Sequence, residues 1–213
     1  KVFYKKAFSV HALGAMLGAV ALAKVHESIG WQTKFNMSDG DNLEEVEFLP
    51  STSWAGAAAS LKTQLNNYAY VYLIKEVDKA GTFWSSDKTA VAATSDYARI
   101  RNVRSIDKAV RGLRTKLLPL VSSPVYVQSD GTLPEDQIAV FQNAGNQIIG
   151  GEYNKSNASG SMVVAGELSA GRTIVDPLQD VLATGTVEVT AELIPVGAAE
   201  AIVVNIGFVA SFN

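Results

Sequence analysis

Apolar residues recur along this chain with helical spacing in its middle and with strand spacing near its C-terminal end. Val103, Ile106, Val110, Leu113 and Leu117 step by 3, 4, 3 and 4 and Pro119 follows them, so a helix is predicted over 96–118. Pro134 can open a second over 134–149 with Ile138, Phe141 and Ile148 inward, closed by Gly150 or Gly151. Ser9 stands as an N-cap before the stripe Val10, Leu13, Leu17 and Val20, which predicts a buried helix near 9–26. Its Gly14 and Gly18 would let that helix pack closely against a sheet. The alanines at 55, 57, 58 and 59, with Leu61 and Leu65 as an apolar edge, predict a helix over 54–66.

Strand signals fill the intervals. Tyr68 to Lys75 is β-branched and aromatic, Val77 to Ala80 turns, and Gly81 to Ser85 returns, a hairpin pattern. Val125 to Gln128 reads as a short strand before the Asp130-Gly131 turn, and 29–35 as a short strand or loop. Val187, Val189, Ala191 and Leu193 alternate with Glu188, Thr190 and Glu192, and Ile202, Val204, Ile206 and Phe208 form another set. The short connection 195–200 predicts that strands 186–194 and 201–210 pair with each other antiparallel. Residues 154–161 read as a polar loop. The fold expected is α+β: a mixed or mainly antiparallel sheet flanked by about four helices, in one domain spanning 1–213.

Composition narrows the chemistry. A chain of 213 residues, 47% hydrophobic and 18% charged, is long enough for a core without disulfides, and it has no cysteine. Thiol nucleophiles, iron–sulfur centres and cysteine-ligated zinc are thereby excluded, and only His11 and His26 remain as imidazoles. Both read as structural, His26 near the C-terminal dipole of the first helix. No P-loop, dinucleotide fingerprint or HExxH occurs, and Ser169 between Gly166 and Gly171 lacks the glycine spacing of a nucleophile elbow. No catalytic, cofactor-binding or metal-binding residue is assigned, and the chain does not read as an enzyme. Asp39-Gly40-Asp41 with Glu44, Glu45 and Glu47 is oxygen-rich, but a calcium loop of the EF-hand kind needs glycine sixth from Asp39, where Glu44 stands. A solvated acidic loop is the expectation. The uninterrupted apolar run Ala12–Ala23 is twelve residues, short of the roughly 18 to 20 that span a bilayer. No membrane partner is expected. The chain opens Lys-Val-Phe with its first methionine at Met16, which predicts a processed form or a piece of a longer protein.

Charge supplies the one candidate surface. The net −3 divides unevenly: residues 1–95 are balanced, 96–116 carry seven basic and two acidic groups, and 117–213 carry two basic and ten acidic. Arg99, Arg101, Arg104, Lys108, Arg111, Arg114 and Lys116 cover the helix away from its apolar seam, and arginine outnumbers lysine five to two. Arginine makes planar, bidentate contacts with carboxylate and phosphate. Three readings stand: a solvated face, a contact with an acidic protein surface, or a nucleic-acid-binding module on helix 96–118, which lacks an aromatic platform.

The run Gly81-Thr-Phe-Trp-Ser-Ser-Asp-Lys-Thr-Ala followed by Ser95-Asp-Tyr-Ala-Arg-Ile-Arg-Asn-Val-Arg-Ser-Ile-Asp-Lys-Ala-Val-Arg resembles the C-terminal region of contractile-tail sheath proteins. The resemblance continues through Leu117-Leu-Pro-Leu, Ser123-Pro-Val, Asp130-Gly-Thr-Leu, Asp176-Pro-Leu-Gln-Asp-Val-Leu-Ala-Thr and Ile194-Pro-Val-Gly-Ala-Ala-Glu-Ala-Ile, covering about 70–210. The apolar first helix with Val25-His-Glu-Ser-Ile-Gly-Trp is similar to the preceding segment of an uncharacterised sheath-like prophage family. What the resemblance implies is mechanical: a virion-tail subunit, assembled in the bacterial cytoplasm, that polymerises with itself in hexameric rings around a tail tube above a baseplate and contracts without a cofactor. Residues 68–213 would be the sheath C-terminal-like core and 1–67 the helical N-terminal portion. Neighbouring subunits would be joined by strand addition at 186–194 and 201–210. Arg99, Arg101, Arg104, Arg111 and Arg114 are then candidate inter-subunit contacts to acidic positions such as Glu188 and Glu192. A tube or baseplate component is the other tail reading.

Overall fold

A computed structural model of the chain describes residues 2–5, 9–37, 47–48, 52–150, 160–200 and 202–204. Its fold is α+β, and every paired strand is antiparallel. In chain order the elements are β1 (Val2–Lys5), β2 (Ser9–His11), α1 (Leu13–Leu22), β3 (Glu47–Phe48), β4 (Thr52–Ser53), α2 (Ala59–Asn67), β5 (Leu73–Ile74), β6 (Phe83–Trp84), α3 (Ile100–Leu117), α4 (Glu135–Ile149), β7 (Leu168–Val175), α5 (Val181–Thr184) and β8 (Val189–Pro195). The strands form a four-stranded sheet in the order β2-β1-β3-β4 and two hairpin-like pairs, β5-β6 and β7-β8.

The third helix links three cores. Its first residue, Ile100, packs on the N-terminal core of Ala19, Ala23, Ile29, Phe35, Phe48, Tyr72, Leu73 and Trp84. Ala109 and Leu113 join Ile149, Met162, Val163 and Leu168 in the second. Leu117 reaches the third, around Leu133, Phe141, Val175 and Val181. Pro119 ends α3 in a single 3-10 turn over Leu118–Leu120, as a proline lacking an N–H must. Behind α3 lies α4, and behind α4 lies β7, so the C-terminal half is layered helix on helix on strand pair. Glycines set the layer spacing: a Cβ at Gly112 would overlap Ile148, at Gly145 Thr173, and at Gly171 Ile149.

The expected helices over 96–118 and 134–149 form as α3, starting only at Ile100, and α4, and the 68–85 hairpin forms as β5-β6 with Leu73 opposite Trp84. The buried face of α3 is Arg101, Ser105 and Ala109 rather than the expected apolar seam, whose Val110 is 58% exposed. Elsewhere the structure corrects the pattern. Residues 9–11 are a strand rather than the start of a helix. The α1 stripe is rotated: Leu13 and Leu17 are each 62% exposed, while Ala19 and Ala23 are buried. Gly14 and Gly18 accordingly face open space rather than a sheet. Residues 54–57 are turn, so the second helix starts at Ala59. Residues 125–128 carry no ladder. Among the described residues the partner of β8 is β7, registered Gly171 opposite Leu193 and Val175 opposite Val189. Of the expected strand 201–210, Ile202, Val203 and Val204 are exposed without strand pairing, and the rest lies outside the described residues. The acidic stretch 38–46 and most of the polar loop 154–161 also lie outside them.

Candidate functional site

The cationic residues of α3 separate into three groups along its axis. At the N-terminal end, the chain from β6 runs back under the helix, where the Ile100 N–H donates to the Asp87 carbonyl at 2.7 Å. The Asp87 carboxylate accepts from the Arg101 backbone N–H at 3.4 Å and from its guanidinium at 2.5 Å. A carboxylate placed there also meets the positive end of the helix dipole. Both side chains are almost fully withdrawn from water, Arg101 to 8% and Asp87 to 3% exposure. Arg99 turns the other way and grips Glu200 through both Nε and Nη2, at 2.6 and 2.7 Å. Arg101 adds a third, longer contact to Glu200 at 3.4 Å.

One turn on, Arg104 closes the C-terminal end of α1 by donating to the carbonyls of Ala23 at 2.8 Å and Lys24 at 3.2 Å. This satisfies acceptors that a helix end leaves open. Lys108 holds both oxygens of Glu167, each at 2.6 Å, just before β7. The last group is different. Arg111, Arg114 and Lys116 are exposed and make no ion pair among the described residues. Exposed Val110, Leu118 and Val121 stand in and just beyond the same stretch of helix. Arginine beside apolar surface, with lysine a minor component, is the composition of protein interfaces.

The sequence-derived acidic partners are on the strand pair. Glu192 on β8 takes Arg172 of β7 at 2.6 Å across the ladder. Glu188 is exposed, and its backbone is held by Gln179, which donates to its carbonyl at 3.3 Å and accepts from its N–H at 2.7 Å. No α3 arginine meets either glutamate within the chain. The residues that α3 does meet, Asp87, Glu167 and Glu200, carry no local sequence signal, because each lies far from its partner along the chain.

A cleft of about 880 Å³ opens beside the N-terminal end of α3, lined among others by His26, Glu27, Trp31, Trp84, Asp87 and Glu200. Its carboxylates are engaged: Glu27 by Lys34, Asp87 by Arg101, Glu200 by Arg99, and Glu76 by the Gln32 amide, which donates to it at 3.0 Å. Burial pushes the Glu27 carboxyl up, but hydrogen bonds from Lys34 and the Lys24 backbone, with the positive charges of Lys34 and His26, outweigh it and hold the group below the usual carboxylate range. Among the described residues no cluster of three or more His, Asp or Glu side chains is placed to hold a metal ion, and no helix is long and apolar enough to cross a membrane.

Residues 96–213 match the family model described as DUF2586, C-terminal domain. No curated protein matches the chain by sequence. Among solved structures, the chain is similar to one from the cryo-EM structure of the anti-feeding prophage (AFP) baseplate, 6-fold symmetrised, with a TM-score of 0.63 and 16% identity over 96% of this chain. The two share a fold, and this chain spans about half, 52%, of the length of the one it matches.

Proposed function

The chain belongs to the DUF2586 C-terminal domain family, and from that premise we propose that it is a structural, non-catalytic component of a contractile injection particle. It would assemble with further copies of itself and with tube and baseplate proteins in the tail of the particle. The finer reading is a sheath subunit, with 68–213 as the sheath C-terminal-like core, 1–67 leading into it, and 1–213 acting as one α+β domain. A fold held in common with a chain of an injection-particle baseplate supports the broader reading. Sheath rather than baseplate is favoured by the ordered motifs of 70–210.

The observation that carries the proposal is the sorting of the α3 cations. Those at the N-terminal end serve the chain itself, while Arg111, Arg114 and Lys116, beside Val110 and Leu118, are exposed and in this reading meet carboxylates of another subunit. Arg99, Arg101 and Arg104 then act on assembly through the shape of this chain. Glu188 immediately precedes β8 and Glu192 lies on it, and the edge of β8 away from β7 is unpaired among the described residues and suits addition of a strand from a second copy. Such contacts, repeated head to tail without closure, build helical polymers.

Electron microscopy of the complete gene product, co-expressed with its neighbouring tube and baseplate proteins, tests this. Tubular or ring assemblies are expected, and the double reversal Arg111→Glu, Arg114→Glu should remove them while the thermal midpoint stays in place. Assemblies unchanged by the double reversal overturn the interface. A protein that stays monomeric beside its neighbours yet binds duplex DNA with a steep salt dependence favours the nucleic-acid reading of α3 instead.

A further inference from the structure

After β8 the described residues 196–200 and 202–204 carry no helix or strand, and one side chain supplies their polar anchorage. Among the described residues, Glu200 is the member of this segment that forms hydrogen bonds or ion pairs with the rest of the fold. Its carboxylate is held side-on by Arg99 and touched by Arg101. The receptor for Glu200 is built into the helix start: Arg99 and Arg101 sit at the start of α3, and Arg101 is paired with the buried Asp87. Immediately beyond the anchor, Ile202, Val203 and Val204 are 82%, 82% and 70% exposed. Three consecutive β-branched apolar residues in water are unfavourable in an isolated subunit and suit an extended strand.

We propose that Glu200 is a positioning residue: its clamp on Arg99 and Arg101 fixes the course of the chain at this point and so aims Ile202–Val204 at a sheet edge of a second copy. This rests on the assembly reading above and adds to it the element that orients the joining strand. A long-range ion pair suits that role because it sets direction without a backbone ladder, leaving the backbone groups of 202–204 available to a partner. Arg99 and Arg101 also lie close together around one carboxylate, so neutralising Glu200 leaves two neighbouring guanidinium groups with Asp87 as their remaining counter-charge.

The chain has no cysteine, so spin labels at Val203→Cys and at exposed Asn143→Cys on α4 report the position of 202–204 by electron–electron distance measurement. A single narrow distance distribution is expected with Glu200 present. Glu200→Gln, and independently Arg99→Gln, should broaden it severalfold while the circular-dichroism melting curve is unchanged. A distribution that stays narrow in both variants overturns the clamp. Broadening with assemblies still formed at wild-type yield overturns the claim that the clamp serves the joining strand. The Arg111→Glu, Arg114→Glu chain separates the two proposals: it keeps the narrow distribution if the clamp is right, whatever becomes of assembly.

Discussion

Asp87 and Arg101 meet twice, once through the backbone N–H that opens α3 and once through the guanidinium, in a pocket that excludes water from both side chains. Removing one member of such a buried pair leaves the other charged and unpaired, which costs about 3 to 5 kcal/mol. Asp87→Ala should therefore lower the unfolding free energy by that order, read from urea denaturation. The double variant Asp87→Leu, Arg101→Met should recover much of the loss, because two apolar groups of similar volume leave no orphan charge. Equal destabilisation by the single and double variants would show that packing at this spot, and not the ion pair, matters.

Gly145 and Gly171 let α4 and β7 approach closely, a Cβ at either overlapping the facing side chain, whereas α1 carries glycines that meet nothing. Gly145→Ala would drive its methyl group into Thr173, and overpacking of this kind costs roughly 1 to 3 kcal/mol. Gly18→Ala, in the exposed middle of α1, should do the reverse and stabilise by about 0.5 to 1 kcal/mol through helix propensity. Thermal midpoints of the two variants moving in opposite directions check both halves.

The elements legible in the sequence are those whose local pattern and tertiary role agree. Pro134, the acidic first turn at Glu135 and Asp136, and the inward Phe141 all mark α4. Val189, Ala191 and Leu193 alternate with exposed Thr190 and Glu192 as a half-buried strand should. The first helix fails as a guide because it is apolar on every side, so nothing local says that the alanine face turns inward and the leucines outward. The strand β7 hides its alternation behind a register shift at Leu168 and Ala170 and a glycine at 171, which is why its pairing with β8 is not read from sequence. The cationic helix is legible as charge but not as role. Arg99 and Arg104 find partners 101 and 81 positions away, and no periodicity encodes such distances.

Glu27 links the end of α1 to Lys34 through both of its oxygens, and its carboxyl is held below the ordinary value of 4.5. A depressed folded-state value means the pair stabilises the fold above the unfolded carboxylate range and loses that contribution as pH falls through the folded value. Lys34→Met should accordingly be less stable than the parent at neutral pH, with the gap narrowing as the pH drops below about 4. Urea midpoints of both proteins across the acid range read this directly. A gap that stays constant on acidification would mean that Lys34 acts through its contacts with the Trp31 and Phe35 rings instead.

Arg104 and Arg111 lie seven residues apart on one helix, yet Arg104 bonds to α1 while Arg111 is exposed. Arg104 caps α1 through the Ala23 and Lys24 carbonyls, so Arg104→Glu removes two hydrogen bonds and brings a negative charge to the negative end of that helix dipole. A loss of about 1 to 2 kcal/mol is expected. Arg111 touches no acidic group among the described residues, so Arg111→Glu should stay within about 0.5 kcal/mol of the parent. Association should show the reverse order: Arg111→Glu weakens self-assembly and its salt dependence directly, whereas Arg104→Glu affects assembly only in proportion to the unfolded fraction it creates. Sedimentation at two salt concentrations alongside chemical denaturation separates the two, and equal stability losses would remove the distinction between the inward and outward ends of α3.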